Sequence, residues 1–275
     1  MRTRLISNRI LKQIAYLEYI SLRILTRFLL GKGKRDELLS RGVINIDYFM
    51  HKHFLCRFTG FIKLLNEKEG FAVGNGLRYI VPLDALDVPT EVKRVYLKPD
   101  EGDVVIDAGA HYRFYTLHAS RLVGNKGMVL AFEPHPNSYK GLLTNLHLNK
   151  IKNVKTFSMA LGNVDRQAKL YISSDSGAHS TFFRTKTYLK VKMGKIDTIV
   201  NKLGLEKVDL IKIDAEGAEL SILKGAIRTI KKCKPKITIA AYHFPNEISE
   251  ITEWFKTNNP SYAIKTVDTG FLHAF

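Results

Sequence analysis

Cysteine is scarce in this sequence, since only Cys56 and Cys233 occur among 275 residues. Two cysteines cannot build a disulfide framework or a cysteine-rich metal cluster, and they favour a protein kept in a reducing compartment. The sequence also lacks internal repeats and low-complexity tracts. Hydrophobic residues make up 45% of the chain and charged residues 25%, which is typical of a globular protein. The length allows one large domain, or one domain with an extension.

Long hydrophobic runs are lacking as well. The apolar segment 10–30 is interrupted by the charged side chains of Lys12, Glu18, Arg23 and Arg27. A membrane-spanning helix needs about 20 predominantly apolar residues in a row, and no small-residue cleavage site marks a secretory signal. We therefore expect a cytoplasmic protein.

Residues 8–30 have the spacing of an amphipathic helix, because apolar side chains recur at three-, four- or seven-residue intervals with basic side chains between them. Two interpretations stay open. The helix packs on the domain or a partner and exposes a basic face, or it lies in the interface of an anionic membrane. In the second case residues 1–35 make the protein peripheral to the membrane.

Acidic residues are few relative to basic ones, with 26 Asp and Glu against 43 Lys and Arg, for a net charge of +17. Residues 1–60 alone hold twelve basic and four acidic side chains. Such an excess favours anionic lipid, nucleic acid, or a phosphorylated or carboxylated substrate as a partner. We find no motif for a base and no nucleic-acid domain, so nucleic acid is the least favoured of these.

After Asp103 the chain alternates between strand-like and helix-like patterns. Residues 104–106 are β-branched and uninterrupted, as in a parallel strand that is buried on both faces. Helical spacing follows over residues 114–123. We predict further strands over residues 128–132, 154–161, 208–213, 236–241, 262–267 and 271–275, the last of them antiparallel. We also predict an antiparallel pair of strands over residues 168–173 and 190–193, and one helix over residues 219–230. This alternation predicts an α/β fold with a mostly parallel sheet and helices on both faces.

The region before Asp103 differs in texture. Residues 58–81 contain short strand-like runs with glycines at 70, 74 and 76 as turn signals. We predict three parts: a basic helical extension over residues 1–57, a small β lead-in and connector over 58–98, and an α/β domain over 99–275.

Ligands of such sheets bind at the carboxyl ends of the strands, where the strand order reverses. Asp107 and Gly109 follow the first strand of the predicted sheet, and Gly109 allows close backbone approach. Glu133 ends the second strand, where a carboxylate can accept hydrogen bonds from both hydroxyls of a ribose. Ala160 ends the third, and a small residue there leaves space for a flat adenine ring.

The fourth strand ends in an unusual density of ionisable residues, Lys212, Asp214, Glu216 and Glu219. Burying such groups costs free energy unless they are paired or bind a ligand. A preference for the N-terminus of the next helix explains Glu219 but not Lys212 or Asp214. His243 follows the fifth strand and is expected at the same rim.

These segments resemble the FkbM-type methyltransferases, and the resemblance covers about residues 101–275. The Lys-Ile-Asp-Ala-Glu-Gly-Ala-Glu run from Lys212 to Glu219 is its most specific part. Residues 102–110, 132–134, 195–199 and 223–226 also carry it. The resemblance implies the Rossmann-like class I methyltransferase fold with a seven-stranded sheet, and S-adenosylmethionine as cofactor.

The resemblance also implies site residues. We expect the cofactor to be held by Asp107, Gly109, Ala110, Arg113, Thr116, Glu133 and Ala160. Arg113 stands where the family's loop usually has a second glycine. Its side chain would either fill the space of the methionine part of the cofactor or donate paired hydrogen bonds to the cofactor's carboxylate.

The expected reaction is O-methylation of a hydroxyl on a glycan, a lipid-linked sugar or a natural product. His243 and Asp214 are the candidate general bases, Glu216 would orient the base or the substrate, and Lys212 completes the predicted catalytic group. Tyr112, Tyr115, His179 and Tyr188 are candidates to stack on sugar rings.

Three alternatives stay open. Asp214, Glu216 and His243 could together hold a divalent cation, although no metal is needed for the principal hypothesis. An impaired protein of the same fold could serve as a binding or scaffold module, and Arg113 is the residue that favours this. An RNA methyltransferase is the least favoured.

Overall fold

The computed structural model describes residues 62–64, 69–74, 77–82, 96–112, 114–173, 178–267 and 270–275. The chain divides into two units, Met1–Leu83 and Asp84–Phe275. In the first unit, strands β1 (Ile62–Leu64), β2 (Glu69–Gly74) and β3 (Leu77–Pro82) pair antiparallel in that order. The predicted β lead-in is therefore present, but Gly70 and Gly74 lie within β2 and not in turns. The predicted domain boundaries at residues 57 and 98 stay a prediction.

The second unit is built on a seven-stranded sheet. Its strands are β4 (Val104–Ala108), β5 (Met128–Phe132), β6 (Val154–Phe157), β10 (Leu210–Ile213), β11 (Lys236–Ala240), β12 (Ile264–Val267) and β13 (Phe271–Ala274). They lie in the order β12-β13-β11-β10-β4-β5-β6, and β13 runs antiparallel to both of its neighbours. The other pairs are parallel. This confirms the predicted class I methyltransferase fold.

A second, three-stranded sheet was only partly predicted. It contains β7 (Ala160–Leu161), β8 (Arg166–Tyr171) and β9 (Tyr188–Gly194) in the order β7-β9-β8. The antiparallel pair of β8 and β9 was expected. The single strand predicted over residues 154–161 is wrong, because the chain leaves the large sheet after Phe157 and pairs with β9 from Ala160.

The helices are α1 (Phe114–Val123), α2 (Pro136–Leu148), α3 (Ile196–Lys202), α4 (Glu219–Lys224), α5 (Ile227–Cys233) and α6 (Glu247–Asn258). The prediction of one helix over residues 219–230 is wrong, because α4 ends at Gly225. A Cβ on Gly225 would lie 2.0 Å from the carbonyl oxygen of Gly162, so the residue must be glycine for the two segments to touch.

The core explains why the central strands are so apolar. All residues of β4 and β10 are buried, and alternate side chains of β4 face opposite sides of the sheet. Ile106 and Ala108 join one large cluster with side chains of α3 to α6. Each fully buried aliphatic side chain of this kind contributes about 1.5–3 kcal/mol. Asp107 faces the other side, towards α1, and is therefore a buried charge that needs a partner.

None of the helices within the described residues has the length and apolar character needed to cross a membrane. The predicted helix over residues 8–30 lies outside those residues, as does most of the connector that precedes Tyr96.

The strand register sets up the site. Asp107 of β4 lies opposite Lys212 of β10, and Lys212 lies opposite Thr238 of β11. Glu133, Asp214 and Tyr242 directly follow or lie within two residues of the carboxyl ends of β5, β10 and β11. The predicted strand ends therefore meet at one edge of the sheet.

Candidate active site

The loop after β4 begins the site. Gly109 has φ +79°, and the backbone amides of Gly109 and Ala110 both donate to the carbonyl of Phe132. A Cβ on Gly109 would lie 1.8 Å from the carbonyl oxygen of Asp214. The close approach that requires this glycine is therefore between two protein backbones, those of the loops after β4 and β10.

Glu133 lies just beyond β5 and is almost fully buried. One carboxylate oxygen accepts from the backbone amide of His111 and the other from that of His135, each at 2.8 Å. Burial raises the pKa of Glu133 to about 7, although the two amide hydrogen bonds act in the opposite direction. Each oxygen keeps a lone pair for one more donor, so this carboxylate can accept from a pair of hydroxyls.

A shallow, open pocket lies at the carboxyl ends of β4 and β5, and its lining includes Phe132 and Pro134, the two chain neighbours of Glu133. Its walls are mostly apolar and come from the ends of β4 and β5, from β7 and from the loop before β9, and they include Gly109, Phe132, Pro134, Met159, Ala160, Leu161, His179 and Thr181. A buried acid with free acceptor capacity at the edge of an apolar slot suits a nucleoside, whose ring is flat and whose ribose donates hydrogen bonds. The residues present therefore fit the S-adenosylmethionine predicted from sequence, and Ala160 lies where the adenine was expected.

Beneath this pocket, Lys212 and Asp107 form a buried ion pair with Nζ 3.1 Å from Oδ1. The ammonium also donates to the carbonyl of Gly109 at 2.8 Å, and Thr116 donates to the second oxygen of Asp107 at 2.5 Å. Burial opposes the charge on Lys212, but Asp107 and Asp214 outweigh it and raise the pKa of the ammonium. Asp107 and Thr116 are fully buried, so the structure gives them a supporting position, and their direct contact with a cofactor stays a prediction.

Tyr96 is a site residue that the sequence did not reveal. Its hydroxyl donates to Oδ2 of Asp214 at 2.6 Å, and its ring packs edge-on against Tyr115 and Phe271. Burial and the Asp214 charge raise the pKa of Tyr96 well above its usual value, so it is a permanent donor. Tyr115 is buried and donates to the carbonyl of Leu97, which makes the expectation that it stacks on a sugar ring wrong.

His243 lies at the centre of the rim, with only 4% of its side chain exposed. Its Nε2 lies 3.8 Å from Asp214 Oδ1 and 3.6 Å from Glu216 Oε2. On the other side, Nδ1 lies 3.5 Å from Glu219 Oε1 and 3.5 Å from Glu247 Oε2. The predicted association of His243, Asp214 and Glu216 is thus present in the structure, and Glu219 and Glu247 are added to it.

The surrounding carboxylates determine the protonation state of the His243 imidazole. Burial opposes its charge, but the carboxylates around the ring, those of Glu216, Glu247 and Glu219, dominate and raise the pKa of His243 to about 10. Burial and the neighbouring Glu247 raise the pKa of Glu219 to about 8. The raised pKa of His243 favours the protonated imidazole, which donates a proton and does not accept one. The predicted role of His243 as a general base stays a prediction, and it would require that the negative charge of the surrounding carboxylates be neutralised.

The loop between β10 and α4 is held in an unusual backbone conformation. Glu216 has φ +54° and Gly217 has φ +94°. A non-glycine residue rarely adopts such a φ, and residues that do so are concentrated at functional sites. The hydroxyl of Ser180 donates to the carbonyl of Glu216 at 2.6 Å and holds the turn in place.

Aromatic side chains cover this turn. A Cβ on Gly217 would lie 2.8 Å from the ring of Phe183 and 3.0 Å from that of Phe182. The rings of Phe182 and Phe244 stack with centroids 5.6 Å apart, and Phe182 and Phe183 are exposed. Exposed aromatic rings beside polar residues are typical of surfaces that bind apolar or ring-shaped molecules. No motif marks Phe182 or Phe183, which come from the loop before β9.

Arg113, the residue on which the question of impairment rests, lies outside the described residues. Helix α1 begins immediately after it at Phe114.

Residues 107–262, more than half of the chain, match the model of the methyltransferase FkbM domain. "Methyltransferase 1" of Beauveria bassiana is 25% identical over 149 residues, which are 46% of this chain and 59% of that protein. "Methyltransferase sdnD" of Sordaria araneosa is 30% identical over 154 residues, 44% of this chain and 59% of that protein. The chain thus spans less than two thirds of these curated relatives.

Among solved structures, methyltransferase FkbM from Methylobacillus flagellatus is 22% identical, with a TM-score of 0.48, over 70% of this chain and 46% of that one. The match to the domain model begins at Asp107 and extends beyond His243, so it includes every residue of the site described above except Tyr96 and Phe271. The chain belongs to the FkbM methyltransferase family.

Proposed function

We propose that this protein transfers a methyl group from S-adenosylmethionine to a hydroxyl of an acceptor. The observation that carries the proposal is Glu133, a buried carboxylate with acceptor capacity that bonds the loop after β4 and whose chain neighbours Phe132 and Pro134 line an apolar pocket. Bound there, the cofactor would supply a sulfonium methyl that is already electrophilic. The protein's task is then to position the acceptor in line with that methyl.

The described residues divide that task. Glu133 would accept from the ribose hydroxyls, and the pocket walls at Phe132 and Ala160 would enclose the adenine. The Lys212–Asp107 pair supports the loop from below through the carbonyl of Gly109. Asp214 would face the acceptor, with Tyr96 fixing its orientation.

The acceptor class follows from the rim. Phe182, Phe183 and Phe244 present exposed or half-buried rings next to the carboxylates. Sugar rings and other cyclic natural products place an apolar face on such rings while their hydroxyls donate to carboxylates. This supports a hydroxylated glycan, lipid-linked sugar or natural product as acceptor, the class expected from the sequence. The aromatic residues proposed to contact it differ from those that the sequence suggested.

Calorimetric titration with S-adenosylmethionine tests the cofactor part. We expect binding to the wild type, and at least tenfold weaker binding to Glu133→Ala, which removes the acceptor of the ribose hydroxyls. Glu253→Ala, an exposed acid on α6, is the control and should bind as the wild type does. Absence of binding by the wild type at millimolar cofactor would exclude the proposed function.

A methyl-transfer assay against cell-envelope fractions tests the acceptor part. Phe182→Ala should lower transfer while leaving cofactor affinity unchanged. Equal transfer by this variant and the wild type would remove the aromatic surface from the proposal.

Two further predictions concern segments outside the described residues. If Arg113 impairs the enzyme, activity should appear only in Arg113→Gly. If residues 1–35 bind an anionic membrane, their deletion should abolish binding to anionic vesicles while the rest of the protein stays folded.

A further inference from the structure

The imidazole of His243 is buried, yet neither of its ring nitrogens has a hydrogen-bond partner among the described residues. Oε2 of Glu219 and Oε1 of Glu247 are likewise buried without one. Four carboxylates converge on this ring at 3.5–3.8 Å, which are ion-pair distances and longer than hydrogen bonds. A buried polar group without a hydrogen bond costs about 1–3 kcal/mol, so the arrangement points to a ligand that completes it.

The two sides of the ring differ in what their acids already do. On the Nδ1 side, Glu219 Oε1 accepts from the amide of Ala215 at 2.7 Å, and Glu247 Oε2 accepts from the amide of His243 at 2.8 Å. Both side chains are fully buried. These acids are therefore built into the fold, and they are placed to accept from Nδ1–H.

On the Nε2 side, Asp214 Oδ1 and Glu216 Oε2 accept no hydrogen bond among the described contacts, and their side chains are 23% and 27% exposed. Solvent therefore reaches this side. Ligand atoms bound to one metal at about 2.1 Å, with tetrahedral or octahedral angles, lie about 3.0–3.4 Å apart. The observed 3.6 and 3.8 Å need a contraction of only a few tenths of an ångström.

We propose that Asp214, Glu216 and His243 Nε2 bind a divalent cation of the manganese or zinc type. One imidazole with two carboxylates favours these ions over magnesium or calcium, which prefer oxygen ligands alone. Glu219 and Glu247 would accept from the remaining N–H of the ring, the usual support of a metal-bound histidine.

The position of this site suggests its use, which rests on the proposed function. The aromatic surface of Phe182 and Phe183 lies against Gly217, in the same turn as Glu216. A cation at the rim would bind the acceptor's hydroxyl and lower its pKa, which is what a poor nucleophile needs. The hydroxyl proton would pass to solvent, which reaches this side of the ring, and transfer of the methyl from sulfur to oxygen would leave S-adenosylhomocysteine.

Binding is measured with the full chain and without cofactor, by titrating Mn²⁺ and following the loss of the free-ion signal by electron paramagnetic resonance. We expect about one tight equivalent, with Zn²⁺ competing for it. Glu216→Gln and His243→Gln should each weaken binding at least tenfold. Glu253→Gln and His147→Gln, exposed residues of the same types, are the controls and should bind as the wild type does.

Absence of a tight equivalent in the wild type, or unchanged affinity in Glu216→Gln, would overturn the site. Glu216 is partly exposed, so its glutamine variant keeps the test decisive if His243→Gln does not fold. Titration of Glu216→Gln with S-adenosylmethionine separates the two proposals: cofactor binding that persists when Mn²⁺ binding is lost supports two distinct sites. Failure of the wild type to bind cofactor, with Mn²⁺ bound, excludes the proposed function and not the metal site.

Discussion

The two halves of the site handle buried charge in opposite ways. On the cofactor side, Lys212 is paired with Asp107, and Glu133 is satisfied by two backbone amides. On the acceptor side, one imidazole faces four carboxylates and has no close hydrogen bond. The first half is complete without any further charge, whereas the second half has an excess of negative charge. In the proposals above, the paired charges of the first half support the cofactor, and the excess negative charge of the second half is where a cation would bind.

The largest loss of stability is expected from breaking the Lys212–Asp107 ion pair on the cofactor side. Lys212→Met removes the partner of a fully buried carboxylate, and unpaired burial of this kind costs about 3–5 kcal/mol. The matched control is Lys232→Met, which breaks an exposed pair with Glu206 and should cost less than about 1 kcal/mol. Urea denaturation measures both. Equal losses would show that the Asp107–Lys212 pair does not hold the cofactor side together.

Gly109→Ala tests the backbone contact between the two halves. The new Cβ would overlap the carbonyl of Asp214 in a residue of φ +79°, and overpacking with an unfavourable φ should cost about 2–4 kcal/mol. Gly204→Ala is the control, because Gly204 has φ +62° with open space around it. It should lose only about 1 kcal/mol by the same denaturation measurement. A similar loss in both variants would show that the loops separate readily.

Glu133, on the cofactor side, makes both stability and cofactor binding depend on pH. The pKa of Glu133 is raised to about 7, so its proton is held more tightly in the folded than in the unfolded state. Its contribution to stability is therefore fully present below the usual pKa of the group and is lost as the pH rises through about 7.

Ribose hydroxyls need the ionised carboxylate as acceptor, so cofactor affinity should rise about tenfold between pH 6 and pH 8. Calorimetry at the two pH values measures this change. Glu133→Gln should bind weakly at both, without the rise. An affinity that falls with pH in the wild type would contradict the assignment of Glu133 to the ribose.

The smallest change in stability is expected on the acceptor side, where four carboxylates surround His243. Glu219→Gln keeps the acceptor for the Ala215 amide and removes one of four converging acids. Because the pKa of Glu219 is raised to about 8, the replaced carboxyl is already mostly protonated at neutral pH, so stability should change by less than about 1 kcal/mol. A loss as large as that of Lys212→Met would mean that the acceptor side is as tightly balanced as the cofactor side.

Sequence reasoning predicted the parts of the fold that local patterns determine. The uninterrupted β-branched run at β4 and the glycine after it give the strand, the turn and the rim position of Asp107. Parallel strands end at one edge, which was enough to bring Glu133, Asp214 and His243 together. The break after Phe157 was missed because no glycine or proline interrupts residues 154–161, although two sheets share these residues.

What the sequence could not supply are contacts made across long separations. Tyr96 reaches Asp214 over 118 residues and lies in no motif. Glu247 contacts His243 from the first turn of α6. An acidic residue is common there because it stabilises the N-terminus of a helix, so no sequence pattern marks this contact. The pairing of Lys212 with Asp107 depends on a register between β4 and β10 that only the folded sheet defines.

The contact of Gly109 with Asp214 has a consequence for how this site can change over evolution. Since no side chain fits between the two loops, neither loop can be remodelled without the other. Substitutions that leave this contact intact are possible where no backbone approaches so closely, as at the exposed rings of Phe182 and Phe183 in the loop before β9. If those rings bind the acceptor as proposed, a change of acceptor needs no change at the contact of Gly109 with Asp214.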